Sequence, residues 1–256
     1  MHDIAALVSP QLLVFSFAVA VLAGMVKGMV GFAMPMVLIS GLTTFLSPEL
    51  ALAGLILPTL VTNGMQALRQ GVEAAIASVQ KYSVFLGVGL VFLLCSAQLV
   101  RVLPQETLLL AIGVPITGFA LLQLSGWQLV IRKKSLRVEA GIGAFAGFVG
   151  GLSGVWGPPT VAYLTAMNTP KEEQMRVQGV IYGLGAVALV FAHIGSGVLT
   201  LDTAPFSVLL VLPAVAGMWI GGKLQDRADQ ATFQKATLVV LLVAGINLVR
   251  RGLLGV

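Results

Sequence analysis

The sequence predicts an all-α polytopic membrane protein of two homologous halves, residues 1–130 and 131–256, arranged as inverted repeats. Three observations lead there. The chain is too poor in charge for a water-facing surface, its apolar runs are continuous and long enough to cross a bilayer, and one glycine- and proline-rich motif occurs twice. Each half is expected to hold a Gly/Pro-broken first segment plus three transmembrane helices.

Hydrophobic residues make up 57% of the 256 positions and charged residues 10%, against roughly 25% charged in an ordinary soluble domain. A helix needs roughly 20 mostly apolar residues to cross a hydrocarbon layer. Stretches free of Asp, Glu, Lys and Arg run over 4–26, 28–48, 50–68, 82–100, 107–131, 140–170, 177–201, 203–222 and 236–249. They are continuously apolar, whereas the strands of a membrane barrel would alternate over about ten residues. The N-terminus, Met1-His2-Asp3, has no cationic stretch before the first run, so residues 4–26 read as a retained membrane segment. Cys95 stands alone inside an apolar run and supports neither an intramolecular disulfide nor a multi-cysteine metal site. The formal charge of +5 sits in short loops, notably Arg132, Lys133, Lys134 and Arg137. That is the cytoplasmic bias of membrane proteins and not a nucleic-acid surface.

The repeat pairs AGMVKGMVGFAMPMV at 23–37 with AGFVGGLSGVWGPPT at 146–160. At one constant offset Gly24, Val26, Gly28, Gly31 and Pro35 fall on Gly147, Val149, Gly151, Gly154 and Pro158. Ser47-Pro48-Glu49 then corresponds to Thr169-Pro170-Lys171, and later Leu99, Gln105 and Thr107 fall on Leu224, Gln230 and Thr232 at a slightly longer offset. Duplicated halves with interrupted helices are common in transporters, with the substrate between them.

A single helix over 11–46 would be about 54 Å long at 1.5 Å per residue, so the chain must break at Gly24–Gly31 and Pro35, and again at 147–159. If each broken segment turns back on itself, the halves are inverted and loops 68–81, 127–139, 169–176 and 223–235 share the cytoplasmic side. If each crosses once, the halves are parallel with four crossings each. The inverted arrangement collects most of the Lys and Arg on one side, with Arg250 and Arg251 as the misfit, and is preferred.

Lys27 is the only charge in the first broken segment. An ammonium at membrane depth costs at least about 2.5 kcal/mol unless it meets protein, water or an anion. Lys27 therefore either neutralises a bound anion or snorkels to the interface. The glycines have two readings too: backbone N–H groups freed at a helix break receive an anion, or small residues let helices pack closely, as in Gly24-x-x-x-Gly28. Ser153 and Trp156 would add a hydroxyl and an indole donor at the second break. Thr59, Asn63, Gln66 and Gln70 form one helical stripe, and Gln178, Tyr182, His193 and Ser196 a second. Both stripes must face inward, to line a path or to bond neighbouring helices. His193 could carry a proton, yet every carboxylate lies at or near a loop, so no intramembrane acidic relay is visible. Without one, an exported anion would still gain about 2.3 kcal/mol per charge per 100 mV of inside-negative potential.

No GxxxxGK[ST], HExxH or GxSxG motif occurs. A cofactor, a metal site and an ATP-driven pump are not expected. With GMVKGMVGFAMP at 24–35, the Asn63–Gly71 stretch and GFVGGLSGVWGPP at 147–159 in view, the chain resembles the sulfite exporter TauE/SafE family of membrane transporters over nearly its whole length. The resemblance implies a multi-pass bacterial inner-membrane protein moving sulfur-containing anions such as sulfite, sulfoacetate or other organosulfonates. Its expected partners are a small anionic substrate and the lipid bilayer, with an oligomer possible. The candidate substrate-binding residues are Lys27, Gly28, Gly31, Asn63, Gln66, Gly151, Ser153, Gly154, Trp156, Gln178 and Tyr182. An anion channel, or an intramembrane enzyme using His193 with Tyr182 or Cys95, stays open as an alternative.

Overall fold

A computed structural model describes residues 8–97, 105–127, 130–131, 135–153, 157–195 and 197–254. Among these it holds eleven helices: α1 (Pro10–Val30), α2 (Met34–Leu42), α3 (Pro48–Leu68), α4 (Val72–Lys81), α5 (Ser83–Ala97), α6 (Gln105–Leu124), α7 (Leu136–Ser153), α8 (Gly157–Ala166), α9 (Lys171–Gly195), α10 (Ala204–Arg227) and α11 (Gln230–Leu254). Among the described residues five spans are long and apolar enough to cross a membrane: α1, Glu49–Leu68 of α3, α9, α10 and α11. The pair α4–α5, bent by 71° at its break, makes a sixth if it is one span. The stretch expected as a loop at 68–81 is thus helical from Val72 onward.

Helix boundaries follow from local chemistry. Ser9 and Ser47 each precede a proline, and their hydroxyls accept the N–H groups of Leu12 and Leu50, capping α1 and α3. Gly31 ends α1 in the left-handed region, φ 86°, where a glycine has no Cβ to strain, and its N–H returns to the Lys27 carbonyl at 2.7 Å.

The chain clusters into two compact units, each drawing on both sequence halves: Met1–Gly71 with Gln178–Asp229, and Val72–Val177 with Gln230–Val256. In the first unit α2 doubles back along α1. Gly41 lies against the Val19 side chain, and the rings of Phe15 and Phe45 are 6.2 Å apart. The first broken segment is therefore a helical hairpin. Then α3 runs parallel to α1, and α9 runs antiparallel to α3, with Gly179 beside Ala67 and Gly183 beside Asn63. Helix α10 runs parallel to both α1 and α3.

The contact between α1 and α10 is backbone on backbone. A Cβ placed on Gly24 would stand 2.0 Å from the Ala214 carbonyl oxygen, and one on Gly28 2.2 Å from that of Met218. In return Gly217 faces the Val21 carbonyl and Gly221 that of Met25, each at 2.0 Å by the same measure. Two GxxxG pairs thus interlock, as small residues do where helices have no water to expel.

A second device joins α3 to α10. Pro58 has no N–H, so the Gly54 carbonyl one turn earlier loses its helical partner. The Ser207 hydroxyl donates to that carbonyl at 3.3 Å and accepts the Leu57 N–H at 3.1 Å. Interior polarity is matched by an apolar outside: Val14, Leu212 and Trp219 are 66%, 78% and 62% exposed, while Ser16, Thr62, Asn63, Gln66 and Ser207 are buried. This reverses the pattern of a water-soluble fold.

The second unit builds the same kind of contact. Helices α5 and α7 run parallel, and a Cβ on Gly147 would lie 2.0 Å from the Gly89 carbonyl oxygen. Gly147 and Gly89 are the repeat counterparts of Gly24 and Ala214. Helices α6 and α11 run antiparallel, with Gly113 against Val249 and Gly245 against Thr117. Glu139, placed near a loop by the sequence, is fully buried in the first turn of α7, and its carboxylate accepts the Phe85 N–H at 3.3 Å. Lys81 pairs with Glu173 at 2.5 Å, tying α4 to the start of α9.

Neighbouring glycines of α10 give a controlled prediction. Gly221→Ala forces its Cβ into the Met25 carbonyl and should cost about 1–3 kcal/mol or more. Gly222→Ala meets nothing within 4 Å and should be neutral or stabilise by roughly 0.5–1 kcal/mol. Thermal unfolding in detergent, followed by tryptophan fluorescence, separates the two. Equal melting temperatures would contradict the backbone contact. By the same assay Ser207→Ala, which strands the Gly54 carbonyl, should cost about 1–3 kcal/mol.

Candidate functional site

In the first unit, polar side chains gather where α1 ends, α2 begins and α3 and α9 pass by. Lys27 lies one turn before the Gly31 cap and is 1% exposed, so it does not snorkel. Its Nζ donates to Asn63 Oδ1 on α3, and Asn63 Nδ2 donates to the Tyr182 carbonyl oxygen on α9 at 3.2 Å. One turn along α3, Gln66 Nε2 donates to the Gly31 carbonyl oxygen at 3.1 Å, tying α3 to the hairpin turn. Thr59, one turn the other way, is buried, and its hydroxyl oxygen has no hydrogen-bond partner among the described residues.

Two features favour negative charge here. Among the described residues no carboxylate stands against Lys27; the ion pairs Arg69–Asp226 and Lys81–Glu173 involve other cations. Helix α2 starts at Met34 from Ala33, which is in the left-handed region at φ 71° and provides no side-chain cap. The first turn of α2 thus directs uncapped N–H groups and a positive helix end into the same turn.

Depth can be read within the unit. Gly28 lies level with Met218 and Gly222. Trp219 carries Lys223 over its ring at 3.6 Å, an interfacial pairing of aromatic and cation. Beyond them Arg69 grips Asp226 through two contacts of 2.6 and 2.7 Å. Lys27 therefore lies about 10 Å along α1 from its middle at 1.5 Å per residue, toward the end of the helices where Arg69 and Asp226 pair.

The sequence candidates divide by position. Lys27, Gly31, Asn63, Gln66 and Tyr182 meet in this network, and Gln178 is buried one turn before Tyr182 on α9. Gly28 is taken up by the α10 backbone. Gly151 and Ser153 close α7 in the second unit, with side-chain surroundings outside the described set; Gly154 and Trp156 lie outside the described residues altogether. Of the two stripes, Gln70 falls beyond the end of α3 and is exposed, His193 is partly buried, and Ser196 lies outside the described residues. Sequence reasoning did not single out Ser207, although the interior Pro58 signals that some donor must replace the missing N–H. Glu139 gave no signal at all. Among the described residues no three His, Cys, Asp or Glu side chains gather as metal ligands.

The sulfite exporter TauE/SafE family model matches residues 16–248, which takes in both glycine breaks and the whole Lys27 network. The chain belongs to this family. No curated protein and no solved structure matches it. As a TauE/SafE member it is a membrane transporter of sulfur anions, and the buried cation sits within the matched segment.

The network makes a checkable prediction. Asn63→Leu removes the acceptor that Lys27 uses and should destabilise the protein by about 1–3 kcal/mol. In a Lys27→Met background the same change should cost distinctly less, because the orphaned donor is gone. A double-mutant cycle on thermal unfolding measures the difference, and additivity would mean the two side chains do not interact.

Proposed function

We propose that this protein exports small sulfur-containing anions, sulfite or organosulfonates such as sulfoacetate, across a bacterial inner membrane, and that Lys27 is the cation that receives them. The observation that carries the reading is a buried lysine against which no carboxylate stands among the described residues, inside a family of sulfur-anion transporters. A charge held at such a place is explained by a ligand of opposite sign. Asn63 orients the ammonium, Gln66 holds the turn, and the uncapped start of α2 adds backbone donors suited to an oxyanion.

We read residues 1–130 and 131–256 as inverted repeats. Supporting this, α3 and α9 hold equivalent places in the two halves and run antiparallel where they touch, and so do α6 and α11. Inverted repeats suit alternating access, in which a site opens to one side at a time. An enzyme reading gains no support, since Tyr182 and His193 lie about 16 Å apart along α9 at 1.5 Å per residue.

The test is uptake of radiolabelled sulfite and sulfoacetate into proteoliposomes at clamped membrane potential. Saturable, voltage-sensitive uptake is expected, and Lys27→Ala should raise the half-saturating concentration at least about tenfold while the protein still folds. Conductance that never saturates would mean a channel, and an unchanged half-saturation would remove Lys27 from the site.

A further inference from the structure

Along the inward face of α3, from residue 59 to residue 66, the polar side chains have partners in the protein, with one exception. Asn63 holds Lys27 and the Tyr182 carbonyl, and Gln66 holds the Gly31 carbonyl. Thr62 turns its hydroxyl back to the Pro58 carbonyl at 2.6 Å and rests against Met34 Sδ at 3.4 Å. Thr59 is 5% exposed, and its hydroxyl oxygen meets no hydrogen-bond partner among the described residues. Ser16 and Ser78, buried within helices like Thr59, both bond the carbonyl four residues earlier, at 2.8 and 3.0 Å. That is the common refuge of a hydroxyl in a helix with apolar surroundings, and Thr59 does not take it. Among the described residues of the first unit it carries the one buried hydroxyl oxygen so placed.

Its surroundings offer no substitute. At about 100° per residue Thr59 lies within about 40° of both Asn63 and Gln66, so it faces the way they do. At its level, one turn before Lys27 on α1 and one turn past Tyr182 on α9, stand Ala23 and Ala186, both buried and without polar side-chain atoms. A hydroxyl taken from water and given no acceptor is costly, so its place here is explained by a partner that is not part of the chain. We propose that Thr59 contacts the transported anion, its hydroxyl donating to one oxygen of the sulfur group while Lys27 Nζ meets another. The inference rests on the transporter reading above and deepens it by adding a residue that selects the substrate.

The spacing fits a polyatomic oxyanion. Four residues set Thr59 about 6 Å along α3 from Asn63, which holds Lys27 Nζ. Two oxygens of one sulfite or sulfonate group, each accepting a hydrogen bond of about 2.7–3.0 Å, cover that distance. The start of α2, which Thr62 touches at Met34, adds its uncapped N–H groups beside the same stretch of α3. Lys27 by itself would attract any anion. A neutral donor at a fixed distance from it adds the demand for a second acceptor atom on the same ligand, which is a demand on shape and not on charge.

Uptake of radiolabelled sulfite into proteoliposomes and thermal unfolding in detergent, run on the same variants, test this. Thr59→Val keeps the branched shape and loses the hydroxyl. It should raise the half-saturating concentration of sulfite at least about tenfold while melting, without anion, at or above the wild-type temperature. Thr59→Ser, which keeps a hydroxyl, should recover most of the affinity, and sulfite should raise its melting temperature more than that of Thr59→Val. If Thr59→Val does not fold, Thr59→Ala takes its place in the comparison with Thr59→Ser. Equal half-saturation with and without the hydroxyl, in vesicles where Lys27→Ala raises it, would overturn the proposal and leave the transporter reading standing. An anion-free melting temperature several degrees lower without the hydroxyl than with it would mean that Thr59 bonds within the protein, and would overturn the proposal too. Folded wild-type protein that moves neither sulfite nor sulfoacetate would overturn the transporter reading and this one with it.

Discussion

The first unit depends on two helices approaching until their backbones touch. Gly24 and Gly28 on α1 meet Gly217 and Gly221 on α10, and neither surface has room for one more carbon atom. In lipid no hydrophobic drive brings apolar helices together, so association relies on close van der Waals contact and on hydrogen bonds. The fit also sets the rotation of α1. With its glycine face against α10, the turn holding Lys27 is directed to α3, and Asn63 is within reach. A wider contact would leave that cation without its partner.

Much of the fold was legible because lipid imposes simple rules. Continuous apolar runs located the long helices, and the excessive length of 11–46 required a break that the structure realises as a hairpin at Gly31. The inward stripe Thr59–Asn63–Gln66 was readable from spacing alone, since polar side chains in hydrocarbon have one direction to face. Legibility failed where a residue's role is settled by a distant helix. Gly28 had two readings in sequence, donor to an anion or packing surface, and only the approach of Met218 reveals the packing. Glu139 looked loop-bound because proximity to a charged stretch says nothing of what folds over it. The 68–81 stretch looked like a loop because its charges hide a short helix, with Ala75 and Ser78 buried on one side and Val72, Ile76 and Val79 exposed on another.

The polar network around Lys27 ties three helices and the hairpin turn together in one place. Asn63 spends its oxygen on Lys27 and its amide on a helix backbone, so the ammonium-bearing side chain is held by a residue that is itself held. Gln66 does the same for the turn. This is the second layer of support that a binding group needs to keep its geometry. Among the described residues the arrangement is polar without carboxylates, unlike the acid-lined paths of cation carriers.

The exchange of helices between halves has a consequence for biogenesis. Helix α1 completes its backbone contact only with α10, just as α7 completes its own with α5. At about 5–20 residues per second, Ala214 follows Gly24 out of the ribosome after roughly 10–40 s. Through that interval the glycine face of α1 has no α10 to close against. The N-terminal half can therefore be threaded into the membrane early, yet it becomes part of a finished unit only when nearly the whole chain has been made.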